Sequence, residues 1–329
     1  MKIVFTSLKE FEKDFYRERL SDHEVSLYTE PINRVSAEEL ERADILSVFV
    51  TDRLGKELLS RLPKLKLLIT RSVGTDHIDV DFCRERGIRV ANVPAYSPRS
   101  IAEHAIALML SLTRKLKRVE RNIHNFNFSH EKDILSQSLY TKTVGVIGTG
   151  RIGREVAKIS LVLFKEVLAY DIKEDEELRG MGVRYVSLSE LLENADIISI
   201  HVPYTEQTHH LIDRESLKRM KDGVILVNTA RGGVIDTEAV YEAVLSGKIG
   251  ALGLDVFEDE ETLLLKRHRE GICSANIMRI LELSFRDNVI ITPHVAYFTE
   301  RAVENIMKHT VEIINAFAEK KEVEKFRVV

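Results

Sequence analysis

Along the first hundred residues, short apolar or β-branched runs alternate with charged stretches whose apolar positions recur at helical spacing. The runs are Lys2–Thr6, Val25–Tyr28, Ile45–Val50, Leu65–Thr70 and Ile88–Asn92, and the helical stretches are Leu8–Leu20, Ala37–Ala43, Lys56–Leu62 and Val80–Arg86. Such βα alternation predicts a parallel sheet with helices on both faces, here a small doubly wound domain. Ser100-Ile-Ala-Glu103 has the form of a capping box, and the pattern behind it predicts one long helix over Ile101–Val119. Asn122–Tyr140 is polar, aromatic and irregular, and reads as a connection. A second βα series begins at Thr143, with strands expected at Val144–Ile147, Val167–Tyr170, Ile197–His201, Val224–Asn228, Leu252–Val256 and Val289–Thr292. Glu300–Phe317 reads as a helix and Lys320–Val329 as a charged, peripheral terminus.

Composition narrows the class. At 329 residues the chain has room for two domains of about 150 residues each. With 44% hydrophobic and 30% charged residues it can build two cores, which excludes a disordered chain, a collagen-like fibre and a coiled coil. The 48 Lys and Arg are interleaved with 52 Asp and Glu. No basic tract of the nucleic-acid-binding kind stands out, and Arg114–Arg118 reads as the end of a helix. No apolar run approaches the roughly 20 residues of a membrane-spanning helix, and Met1-Lys-Ile-Val-Phe5 enters a strand without signal-peptide architecture. Cys83 and Cys273 make neither a disulfide framework nor a zinc site by themselves, so a cytoplasmic compartment and no metal are expected.

Val144-Gly-Val-Ile-Gly148-Thr-Gly150-Arg-Ile-Gly153 is a G-x-G-x-x-G run between a predicted strand and a predicted helix. Gly148 allows the tight turn, Gly150 lets the backbone approach a pyrophosphate, and Gly153 lets the helix pack against the strand. The helix N-terminus offers N–H groups and partial positive charge to phosphates. Asp171 ends the next strand, 18 residues past Gly153, where a carboxylate can accept hydrogen bonds from the ribose of NAD. Like charge would disfavour a 2′-phosphate there, and Ile172 follows where an Arg could have rescued it. NAD is therefore expected over NADP. The alternatives are an ordinary glycine loop and an Asp that merely caps a helix.

Three ionisable residues follow strands of the second series, where open α/β sheets gather their ligands: Arg231, Glu260 and His294. Singly, each could be a surface or structural residue. Together they supply what hydride reduction of a keto acid needs. Arg can clamp a carboxylate, His can move the hydroxyl proton, and Glu can orient the imidazole and favour its charged form.

These residues lie in a longer series of motifs. It includes Arg71-Ser-Val-Gly-Thr-Asp-His-Ile-Asp79, Asn92-Val-Pro-Ala-Tyr-Ser-Pro98, Ile101-Ala-Glu-His-Ala105, His201-Val-Pro203, Asn228-Thr-Ala-Arg-Gly232, Gly253-Leu-Asp-Val-Phe-Glu-Asp-Glu260 and Thr292-Pro-His294. In this order they resemble the D-isomer-specific 2-hydroxyacid dehydrogenases almost end to end. The resemblance implies an α/β fold of two doubly wound parallel-sheet domains, a Rossmann cofactor domain (100–294) inserted in a flavodoxin-like substrate domain (1–99 and 295–329). Helices at Ile101–Val119 and from near Glu300 would cross between the domains, with the site in the interdomain cleft and a homodimer as the assembly.

Carried over position by position, the resemblance implies that Arg231, Glu260 and His294 are catalytic. The N–H groups of Val73 and Gly74 would help Arg231 hold the substrate carboxylate, with Tyr96 beside it. Arg151 and Ile152 would line the pyrophosphate together with Gly148, Gly150 and Gly153. Asp171 would hold the ribose, and Val202, Pro203 and Thr208 the adenosine end. Thr229, Ala230 and Asp255 would flank the nicotinamide.

Within the family, the resemblance runs to the branch of NAD-dependent D-lactate enzymes. Twenty-seven residues separate Glu260 from Asn288, a long, lid-like segment of the kind that branch carries. Tyr297-Phe298 matches its aromatic pair after the catalytic His, and Phe49 its bulky pocket residue, so pyruvate is the expected substrate. Glyoxylate, hydroxypyruvate or larger keto acids are the alternative, and an NAD-sensing binding protein on the same scaffold is a third reading. Phe164 stands where the family usually ends its first cofactor-domain helix with Gly, which predicts a different exit from that helix.

Overall fold

The computed structural model describes residues 1–94, 97–264, 273–321, 326 and 328. The chain divides into two compact units, Met1–Ser97 with Thr299–Val329, and Pro98–Phe298.

In the first unit, β1 (Lys2–Phe5), β2 (Glu24–Leu27), β3 (Ile45–Val48), β4 (Leu67–Thr70) and β5 (Arg89–Asn92) form a parallel sheet in the order β2-β1-β3-β4-β5. This is the flavodoxin-type order. β1, β3 and β4 are buried throughout, as inner strands with both faces covered must be, while β2 at the edge is not. The helix Glu300–Ala318 brings Val311, Ile313 and Ile314 against Ile3, Phe5 and Tyr16. The expected peripheral terminus needs a correction, since Phe326 is buried in that same cluster and Val328 donates its N–H to Val90 O. Phe326 is the apolar residue that a charge-dominated stretch conceals.

The second unit has β6 (Thr143–Ile147), β7 (Glu166–Tyr170), β8 (Arg184–Tyr185), β9 (Ile197–Ile200), β10 (Val224–Asn228), β11 (Ile249–Leu254) and β12 (Val289–Ile291). They lie parallel in the order β12-β11-β10-β9-β6-β7-β8, so the winding reverses between β6 and β9. That is a Rossmann sheet with seven strands where six were expected. β8 was hidden because it is two residues long, begins with Arg, and pairs only through Arg184 and Tyr185.

Two helix expectations also change. The helix begins at Pro98, so Ser100 lies inside it and not at its cap position; proline at a first helical position has its φ preset. The long pattern is two helices, Pro98–Thr113 and Leu116–His124, parted at Lys115 in the left-handed region. The basic tract straddles this break. Lys117 Nζ donates to the carbonyls of Ser284, Arg286 and Val289, and Arg118 pairs with Asp133 and Asp287. At Phe164 the chain leaves the helix Arg151–Leu163 in extended conformation (φ −109°), without the left-handed exit a glycine would take.

Candidate active site

The C-terminal ends of β7, β6, β9, β10, β11 and β12 follow one another along one edge of the second sheet. They carry Asp171, the glycine loop, His201, Thr229–Arg231, Asp255 and His294 in that order.

Gly148 has φ +88°, and a Cβ on Gly153 would stand 1.8 Å from Gly148 O. The loop therefore packs on its own helix as only glycines permit, and a Cβ on Gly150 would meet nothing within 4 Å. No side chain caps the helix that starts at Arg151, so its first N–H groups face outward, with Ile152 half-buried behind them. Asp171 accepts from Thr149 N at 2.5 Å and from Lys173 N at 3.0 Å, so it braces the loop while staying half-buried. Arg154 is tied to Asp175 and Glu177, and Lys158 to Glu177. Val202 packs beside Gly148, and Thr208 Oγ1 closes the turn after Pro203 by donating to its carbonyl at 2.6 Å.

Two buried polar atoms at the same edge, His201 Nδ1 and Thr229 Oγ1, have no hydrogen-bond partner among the described residues. Burial pushes the His201 imidazole down to about 3, so it is neutral. An open glycine cradle, an uncapped helix start, a ribose-height carboxylate and orphaned polar atoms fit a dinucleotide.

Arg231 follows β10 through a turn clamped by Asn228. That side chain is wholly buried, donates from Nδ2 to Arg231 O at 2.9 Å and accepts from Ala230 N at 3.0 Å. Gly232 is obligatory here, because a Cβ would stand 2.2 Å from the carbonyl carbon of Phe257.

His294 has a left-handed backbone, φ 53°, an unusual conformation for a side chain of its size. Asp255 holds it there. Its carbonyl accepts from His294 N at 2.9 Å, and its carboxylate accepts from Thr292 Oγ1, Val295 N and Ala296 N at 2.5, 2.9 and 2.9 Å. His104, from the helix Pro98–Thr113, adds a 3.0 Å bond to Thr292 Oγ1. Asp255, expected beside the nicotinamide, is thus also the anchor of the His294 turn.

His294 Nδ1 lies 2.8 Å from Glu260 Oε1. A carboxylate can only accept, so Nδ1 carries the proton and Nε2 is left for a substrate. Burial lowers the imidazole pKa, but the hydrogen bond and charge of Glu260, with the charge of Asp255, outweigh it, and the net direction is up even against Arg231. Tyr297 sets its ring edge-on to His294, centroids 6.3 Å apart, and Phe298 packs on Tyr297.

In the first unit, Phe49 donates its N–H to the buried carboxylate of Asp52 at 3.0 Å. Val73 and Gly74 follow β4. Their carbonyls accept from Asn92 Nδ2 and Ser72 Oγ, while their N–H groups bond to nothing among the described residues. Tyr96, and the 265–272 part of the long segment, lie outside the described residues.

Asn228, His104 and Asp255 as anchor were not assigned these roles from sequence. All three sit in or beside the motifs; Asn228 acts within its own turn, whereas Asp255 and His104 find partners in other segments.

This fold and edge define a nucleotide-dependent oxidoreductase, and comparison makes the class specific. Residues 106–296 match the family model described as D-isomer specific 2-hydroxyacid dehydrogenase, NAD binding domain. The chain is 36% identical over 97% of its length to 2-hydroxyacid dehydrogenase homolog 1 of Schizosaccharomyces pombe, covering 96% of that protein. It is 39% identical over 90% of its length to the aromatic 2-oxoacid reductase of Clostridium sporogenes, covering 89%. Among solved structures it is similar to D-lactate dehydrogenase from Aquifex aeolicus complexed with NAD and lactic acid, with TM-score 0.97 and 49% identity over 99% of each chain. The chain belongs to the D-isomer-specific 2-hydroxyacid dehydrogenase family and is an NAD-dependent oxidoreductase.

Proposed function

We propose that the enzyme is a D-lactate dehydrogenase, reducing pyruvate to D-lactate reversibly. The observation that carries the chemistry is the 2.8 Å His294–Glu260 pair in the field of Arg231. Likeness to the Aquifex D-lactate dehydrogenase supports the substrate. The second unit would be the cofactor domain and the first, with its tail, the substrate domain. Gly148, Gly150, Arg151, Ile152 and Gly153 would hold the pyrophosphate, Asp171 the ribose, Val202, Pro203 and Thr208 the adenosine end, and Thr229, Ala230 and Asp255 the nicotinamide. Bound NADH supplies a hydride.

The residues do the rest. Arg231 clamps the substrate carboxylate and polarises the carbonyl, and the open N–H groups of Val73 and Gly74 share the carboxylate. His294 delivers a proton from Nε2 to the carbonyl oxygen in reduction and takes it back in oxidation. Glu260 orients the ring and stabilises its charged form. Phe49, Tyr96 and Tyr297 limit substrate size. We place the enzyme in the cytoplasm, acting on a free small acid without nucleic-acid or membrane partners. Exposed apolar side chains of the second unit, among them Phe126 (90% exposed), Phe128, Leu135 and Tyr140, favour a homodimer that covers them.

A second reading, reduction of larger keto acids, is favoured by the Clostridium relative. Turnover of pyruvate, 2-ketobutyrate, glyoxylate, hydroxypyruvate and phenylpyruvate with NADH decides. Pyruvate should give the highest kcat/KM, and a lead for phenylpyruvate would replace the lactate assignment with the second reading.

A further inference from the structure

We infer that Glu258 is a positioning residue for Glu260. The inference rests on the reading that Glu260 serves His294 in turnover. Both Glu258 oxygens are engaged. Oε1 meets His210 Nε2 at 2.8 Å, and Oε2 accepts from Thr237 N at 3.1 Å and Asn276 Nδ2 at 3.5 Å. Its partners come from three separate segments: the loop after β9, the start of the helix Thr237–Ser246, and the helix Ala275–Ser284. Glu260, by contrast, has weak anchorage of its own. Beyond His294, its side chain takes part in one hydrogen bond among the described residues, a long one from Phe257 N at 3.4 Å.

The link between the two glutamates is short and stiff. Asp259 is left-handed, φ 60°, and Phe257–Glu258 lies against Gly232 with no room for a Cβ. Fixing Glu258 therefore fixes the direction in which Glu260 leaves the backbone. The other jaw of the clamp is equally tied. His210 donates its N–H to Gly233 O at 2.9 Å, its ring stacks on His209 at 3.8 Å, and His209 meets Tyr204 OH at 3.2 Å. Through His210 and Glu258, the Arg231 turn and the Glu260 segment share one frame.

The test compares Glu258→Ala, Glu258→Gln, His210→Phe, Glu260→Gln and the double variant Glu258→Ala/Glu260→Gln, with the keto acid that the intact enzyme turns over best. Glu258→Ala and His210→Phe should each lose roughly 10-fold or more in kcat, with NADH affinity by fluorescence unchanged, since misplacing a reacting group is costly. Glu258→Gln keeps an acceptor for Thr237 N–H and a polar contact for His210, and should recover most of the rate. The double variant should be no slower than Glu260→Gln alone, because the positioned carboxylate is already gone. Losses that multiply in the double variant, a normal rate for Glu258→Ala, or NADH affinity that falls with kcat would overturn the inference. Normal turnover by Glu260→Gln would instead remove the reading beneath it.

Discussion

At the scale of single residues, the chemistry reduces to where one proton rests. In the proposed mechanism reduction consumes the imidazolium of His294, whose raised pKa keeps that form available above the ordinary imidazole range near 6.5. The rate of reduction should therefore persist into mildly alkaline solution and fall as pH passes the raised pKa, while oxidation gains over the same window. Glu260→Gln removes the main raising influence, so the alkaline limb of kcat for reduction should move to lower pH. A limb that stays or moves upward would refute the role. His294→Gln should lose ~10²–10⁴-fold in kcat with NADH binding nearly intact, measured by single-turnover and titration. Asp171 makes a separate prediction. NADH should be preferred over NADPH by at least ~10-fold in kcat/KM, the equivalent of about 1.4 kcal/mol of repulsion. Arg154, held by Asp175 and Glu177, is not free to receive a 2′-phosphate. Asp171→Ala should narrow the ratio, chiefly by weakening NADH.

At the scale of elements, the site depends on how closely loops approach each other. Gly232→Ala places a methyl on the Phe257 carbonyl and must push apart the Arg231 turn and the segment that carries Glu260. Steady-state kinetics should show kcat/KM for the keto acid falling by roughly 10²-fold, with NADH affinity little changed. Motifs of this kind are legible in a sequence because their residues are neighbours along the chain, as in Gly148–Gly153 or Asn228–Gly232. The clamps behind them are not, since Asp255 meets Val295 and Glu258 meets His210 only after folding. The inner strands were legible from unbroken apolar runs. β8 was not, because two residues at a sheet edge bury too little to leave a pattern. The break at Lys115 was equally silent, because no glycine or proline marks it and it is held by distant carbonyls. Ser100–Glu103 misled for the opposite reason, a local signal overridden by Pro98 two residues earlier.

At the scale of the molecule, the proposed substrate is tested at Phe49, in the first unit. If Phe49 limits the size of the substrate, Phe49→Ala should flatten or reverse the preference for pyruvate over phenylpyruvate in kcat/KM. Some leakage to 2-ketobutyrate is expected in the intact enzyme, since one methylene decides only ~1–3 kcal/mol. An unchanged ratio in the variant would take Phe49 out of the pocket. The division of the chain has a further effect, on its synthesis. The second unit is one continuous stretch, whereas the first is split around it. β1 is translated before the second unit, yet Val311, Ile314 and Phe326, which share a buried cluster with its Ile3 and Phe5, are translated after the entire second unit. Domains tend to fold as units in the order they are completed. The nascent sheet of the first unit must wait with an apolar face uncovered until the second unit has been made, so of the two units the one begun earlier is completed later.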